Sequence, residues 1–160
     1  MTIALLAAKL IQSFEGVKLR SYFDKTGKVW TVGWGHTGFD VEPGMEITLE
    51  EATGYWMDDS APLIALVEDR PLIEAAALVS FGYNCGIGAL KRVLSGEIEV
   101  THEEFTVRDS RAPYGELSGG VKLAGLYARR QLEAALIEAS REMLSQEPIR
   151  EMLRGGKGPT

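Results

Sequence analysis

An α+β fold, mostly helical with one small sheet near the N-terminus, is predicted by three features of the 160-residue chain. Apolar side chains recur at helical spacing through the first fourteen residues. Residues 20–33 then switch to short aromatic and β-branched runs around a glycine turn. From Thr48 to about Leu144 the period is helical again, punctuated by glycine and proline. With 45% hydrophobic and 25% charged residues, the chain has the material for one domain with a real core. Its formal charge of −6 offers no global source for counterion release, which argues against a nucleic-acid partner.

Taken in order, Ile3, Ala7, Leu10 and Phe14 make one helical stripe, with Thr2 as N-cap, Gly16 as terminator and Glu15 in the last turn. The apolar run from Thr2 to Ile11 has no basic leader or cleavage site and is far shorter than the roughly 18 residues that span a bilayer. It is read as a core helix, with no stable membrane insertion and accumulation in the cytoplasm of the cell that makes it. Arg20–Asp24 and Val29–Gly33 flank Lys25–Lys28 as a hairpin, with a third strand expected at Phe39–Val41 or Met45–Ile47. Thr48 and Glu51 form a capping box, opening a helix that carries Tyr55 and Trp56 inward and that Pro62 kinks or restarts before Leu63, Leu66 and Val67.

A further helix is expected over Leu72–Asn84, ending at the glycine corner Gly86–Gly88, followed by short ones at Ala89–Leu94 and Thr101–Asp109 and a loop over Arg111–Gly120. The last helix places Leu126, Tyr127, Ala134 and Ile137 on one stripe together with Arg130. A basic residue on an apolar face needs a partner, because an unpaired buried charge is costly. The expected organisation is a sheet lobe over about 15–48, a connecting helix from about 48, and a helical lobe over about 71–145. Helix 2–15 closes that lobe, and a disordered tail covers about 154–160. Cys85, alone in the chain, forms no internal disulfide and reads as a small buried thiol; no cysteine–histidine cluster offers a metal site.

Two carboxylates in the central stretch suggest glycoside chemistry, which needs an acid for the departing oxygen and a carboxylate on the other side of the sugar. Glu15, at the negative end of a helix dipole and beside Phe14, suits the acid. Asp24, nine positions later among hydrophilic turn residues, suits the second role. Thr31 on the return strand is expected to face Asp24 across the hairpin, its hydroxyl available to an attacking water.

The segments Phe14–Tyr22, Asp24 and Trp30–Thr37, then Ser80–Leu90, then the Gly125-Leu126-x-x-Arg129-Arg130 helix resemble, in that order, the three blocks of the phage-type lysozymes of glycoside hydrolase family 24. The resemblance implies a lysozyme-like fold with a cleft between two lobes. It also implies a muramidase that hydrolyses the β-1,4 bond between N-acetylmuramic acid and N-acetylglucosamine in bacterial peptidoglycan, without metal or cofactor. Residue by residue it makes Glu15 the general acid, Asp24 the second carboxylate and Thr31 the third member. The family has about five residues between the last two, whereas Lys25–Trp30 makes six, and the extra residue is expected in the turn at Thr26–Gly27.

Tyr83 and Asn84 match positions bordering the family's cleft and are candidates for holding sugar. His36 matches a structural histidine, with Asp58, Asp59 or Asp69 as its acid. His102 reads as a surface residue, and Trp30 and Trp34 as packing. Arg129 or Arg130 is placed to pair with Glu15, or else with Glu133. A phage endolysin acting as a monomer, released to the wall with a holin, fits this pattern. Asp24 argues against a lytic transglycosylase, which does not need it, and Glu15 against a wall-binding module that has lost catalysis. An antibacterial effector of the same fold would carry the same residues.

Overall fold

The computed structural model describes residues 1–25, 27–101, 121–146 and 149. The first helix, α1 (Ile3–Phe14), starts where the sequence says it should, because Thr2 Oγ1 accepts from the Leu5 N–H at 3.2 Å. Ala7 and Ile11, one turn apart, are fully buried. The helix ends differently from expectation. Glu15 is not in the last turn: it is the C-cap, with extended backbone (φ −105°, ψ 129°), and its N–H still bonds Ile11 O at 2.9 Å. The chain therefore leaves α1 at the carboxylate itself.

Strands β1 (Lys18–Asp24) and β2 (Val29–Gly33) form an antiparallel pair, the only sheet among the described residues. The expected third strand is reduced to a single bridge, Arg20 with Glu46. Its cause lies in β1, which has two more residues than β2 between the Lys18–Gly33 and Tyr22–Thr31 pairs. That bulge presents β1 backbone to the 45–47 segment, where Ser21 N–H bonds Met45 O and Leu19 O accepts from Ile47 N–H, both at 2.8 Å. Thr48 then caps the next helix, so the strand has no room to continue.

Helix α2 (Leu49–Ala65) opens on the full capping box: Glu51 N–H reaches Thr48 Oγ1 at 3.1 Å and Thr48 N–H reaches Glu51 Oε2 at 2.7 Å. These bonds hold the Glu51 carboxyl below its usual pKa. Pro62 does not restart the helix, which runs on to Ala65 with Leu63 buried. Gly33, at φ 66°, lets β2 turn over α2: a Cβ there would stand 3.5 Å from the Ala52 Cβ.

Every residue of α3 (Leu72–Cys85) from Glu74 to Gly82 is buried, as befits a helix apolar almost all round. It packs against α1, α2, α4 (Ile87–Leu94) and α5 (Val121–Ser145). On α5 the buried positions are Arg129, Arg130, Glu133, Ile137 and Ser140, with Leu126 and Ala134 half-buried. Tyr127 leaves the expected stripe and is exposed, since 126, 130 and 133–134 already fill the face turned to α3. The expectations for Thr26, the Thr101–Asp109 helix, His102, the Arg111–Gly120 loop and the 154–160 tail lie outside the described residues.

Candidate active site

Glu15 sits where α1 gives way to the sheet, its side chain one-third exposed. Its carboxyl meets a guanidinium rather than the apolar wall the sequence suggests: Arg129 Nη1 donates to Glu15 Oε1 at 2.6 Å. Phe14 turns its ring to the same guanidinium, 5.0 Å from its carbon. Of the two candidate arginines, then, Arg129 takes Glu15. The open alternative is also realised, because Arg129 Nε donates to Glu133 Oε1 at 3.1 Å. Arg129 Nη2 further reaches Ser80 O at 3.1 Å.

Arg130, fully buried, has the partner its position demands. Its Nε lies 3.1 Å from Glu133 Oε2, its Nη2 donates to Asn84 Oδ1 at 3.0 Å and its Nη1 to Cys85 Sγ at 2.6 Å. Ser80 Oγ donates to Glu133 Oε1 at 2.7 Å. Burial pushes the Glu133 carboxyl up, against Arg130 first and then Arg129 and the Ser80 hydroxyl. Burial likewise pushes the Cys85 thiol up, to about 11, with Arg130 pulling the other way. The sulfur is a packed thiol, as expected.

Asp24 and Thr31 do not face each other. The register sets Asp24 opposite Val29 and Thr31 opposite Tyr22, so Thr31 is the diagonal neighbour of Asp24 on the same face of the hairpin. The miscount arises in the four-residue loop 25–28, which includes Lys28 in the left-handed region at φ 54°. Asp24 folds back over that loop: a Cβ on Gly27 would come 3.2 Å from Asp24 Oδ2. Thr31 is 4% exposed, and its Oγ1 finds no hydrogen-bond partner among the described residues.

Tyr22, which the sequence reading passed over, lies beside all three. Burial raises the pKa of its hydroxyl above the usual tyrosine value, as do the charges of Asp24 and then Glu15. The Thr31 hydroxyl acts on it in the opposite sense without reaching hydrogen-bond geometry. The signal in the sequence was its spacing: two positions before Asp24, on the same face of one strand.

Tyr83 and Asn84 spend polar atoms inside the protein. Tyr83 Oη donates to Trp34 O at 3.3 Å, and Asn84 Oδ1 accepts from Arg130. Burial, then the charges of Asp59 and Glu15, raise the Tyr83 hydroxyl, while Arg129 lowers it. His36 takes Asp59 (Nδ1 to Oδ2, 2.9 Å) and not Asp58 or Asp69; Asp40, overlooked in the sequence, stands 3.3 Å from its Nε2. Its ring stacks on Tyr55 at 4.1 Å. Trp34 is buried, and Trp30 packs against the core. Among the described residues no group of histidine, cysteine and acidic side chains could hold a metal.

Residues 12–133 match the Phage lysozyme family. The chain belongs to that family. It is 35% identical over 146 residues to the endolysin of Bacillus phage PZA, covering 87% of this chain but 56% of that endolysin, so it spans little more than half of that relative's length. Among solved structures, the muramidase domain of SpmX from Asticaccaulis excentricus is 28% identical with a TM-score of 0.61, over 82% of this chain and 93% of that one. The endolysin from Escherichia coli O157:H7 phage FAHEc1 is also 28% identical with a TM-score of 0.61, over 86% and 93%. The lysozyme-like α+β expectation thus holds, with a two-stranded rather than three-stranded sheet among the described residues.

Proposed function

We propose that this member of the phage lysozyme family is an endolysin muramidase, hydrolysing the β-1,4 bond between N-acetylmuramic acid and N-acetylglucosamine in bacterial peptidoglycan. One observation carries the reading furthest. An arginine from α5 holds the carboxyl that ends α1 at 2.6 Å, and a second carboxylate and a buried, unpartnered hydroxyl share one face of the adjoining hairpin. The similarity to the PZA endolysin and to the SpmX muramidase domain supports it.

In this reading Glu15 gives its proton to the departing O4 as the C1–O4 bond breaks, and one water is consumed. Asp24 takes a proton from that water or bonds C1 directly, and the anomeric form of the first product distinguishes the two. Arg129 keeps the Glu15 carboxyl in one orientation. Each protein group needed is a side chain of this chain, and no cofactor is invoked.

The test is mass spectrometry of purified peptidoglycan digested with the wild type, Glu15→Gln and Asp24→Asn. New reducing-end muramic acid from the wild type, lost in both variants, is expected. Anhydro-muramic ends that survive Asp24→Asn would replace the reading with a transglycosylase, and intact glycan in all three digests would leave a binding module. The same reading has the enzyme act as a monomer and reach the wall through a lesion made by a separate holin. None of the described helices is long and apolar enough to cross a membrane.

A further inference from the structure

We propose that Tyr22 is a further catalytic residue, its phenol hydroxyl joining Thr31 Oγ1 to hold the water that is delivered to the sugar's anomeric carbon. The inference rests on the muramidase reading and adds to it a residue that the three-member set leaves out. Two independent observations meet at this point in the hairpin. The first is register. Tyr22 and Thr31 are directly paired, Asp24 follows Tyr22 by two, and all three side chains therefore stand on one face.

The second is an unsatisfied group. Thr31 is 4% exposed, yet its hydroxyl bonds to nothing described. A buried polar atom left this way is destabilising unless water or substrate completes it. A water on Thr31 Oγ1 has its remaining partners within the same face: the Tyr22 hydroxyl above it and the Asp24 carboxylate on the diagonal. Three polar partners are what a well-ordered water ordinarily has.

Tyr22 is 43% exposed, so a substrate can reach this face of the hairpin, while Thr31 Oγ1 beneath it is closed off from bulk solvent. Burial and the two carboxylates keep the phenol in its protonated form at neutral pH, and it therefore serves as a donor as well as an acceptor. In the step itself the water oxygen bonds C1, one of its protons goes to Asp24, the C1–O4 bond breaks, and the Glu15 proton ends on O4. Tyr22 loses no proton; it fixes the direction of the water's lone pair.

Steady-state hydrolysis of purified peptidoglycan by the wild type, Tyr22→Phe, Thr31→Val and the double variant tests this, with Thr31→Ser as the conservative rescue. Tyr22→Phe is expected to lower kcat about tenfold or more while KM stays within about twofold, the effect of one hydrogen bond made to a reacting atom. The double variant should be far less than multiplicatively impaired, since both singles free the same water, and Thr31→Ser should retain activity. A Tyr22→Phe enzyme with wild-type kcat, a loss confined to KM, or multiplicative loss in the double variant overturns the assignment while leaving the muramidase reading in place. Wild-type protein that releases no reducing ends removes both. A crystal structure adds a readout independent of activity. An ordered water within hydrogen-bond reach of both Thr31 Oγ1 and Tyr22 Oη is expected, and a dry Thr31 overturns the proposal.

Discussion

The two carboxylates of the candidate site are held in opposite ways. Glu15 is fixed from a distance: its partner Arg129 is 114 positions away in sequence and is itself locked by Glu133 and Ser80 in the buried face between α3 and α5. Asp24 is fixed locally, by a strand, a four-residue loop and a glycine that lets its carboxylate lie close. The Arg129–Glu133–Ser80 network is buried between α3 and α5, whereas the hairpin exposes Tyr22, Phe23 and Val29. Glu15 therefore inherits the rigidity of the core and Asp24 that of a turn. In the proposed reaction this difference suits a general acid that must meet one oxygen and a partner that must accommodate a water.

Three changes would break or sharpen that contrast. The largest effect is expected from Glu133→Ala, which strands Arg129 and Arg130 without their shared buried carboxylate; a loss of about 3–5 kcal/mol in urea unfolding is expected. Should the variant unfold at the wild-type midpoint, the buried network would not be what holds the helical half. Next is the Cys85 thiol, raised from an ordinary 9.0 to about 11 chiefly by burial. Because the folded value lies above the unfolded one, the associated stability is complete below about pH 9 and is lost as the pH climbs through about 11. Alkylation by iodoacetamide in the native state should follow the same midpoint, and a rate that rises near pH 8.5 would show a more open network.

The smallest effect belongs to the hairpin. Gly27→Ala adds a methyl 3.2 Å from Asp24 Oδ2. A side chain can yield by a few tenths of an ångström, so kcat on peptidoglycan should fall only a few-fold with the unfolding midpoint almost unchanged. A drop as deep as that of Asp24→Asn would mean that the loop dictates Asp24 far more tightly than its geometry suggests.

What the sequence disclosed follows the same division. Caps and periods are local, so Thr2, the Thr48–Glu51 box and the limits of α3 were readable within a residue or two. The need of Arg130 for a partner was readable as well, since a cation on an apolar stripe has few solutions. Register was not. A register shift of two positions moves Thr31 from facing Asp24 to facing Tyr22, and nothing in the Lys25–Lys28 composition records the left-handed Lys28 or the bulge at 18–22. Arg129 and Arg130 are adjacent letters about 100° apart on a helix, and only docking against α1 and α3 decides which one meets Glu15. Asp40 reaches His36 through a turn that no periodicity announces.

The span from residue 15 to residue 129 also sets a timetable. Contacts so distant in sequence form late, after the intervening chain has been synthesised and its loop-closure entropy overcome. On the ribosome, α1 and the hairpin emerge before α5 and carry Glu15 and Asp24, while the guanidinium that meets Glu15 is still unmade. A chain that stops short of α5 thus carries Glu15 and Asp24 but lacks the guanidinium that meets Glu15.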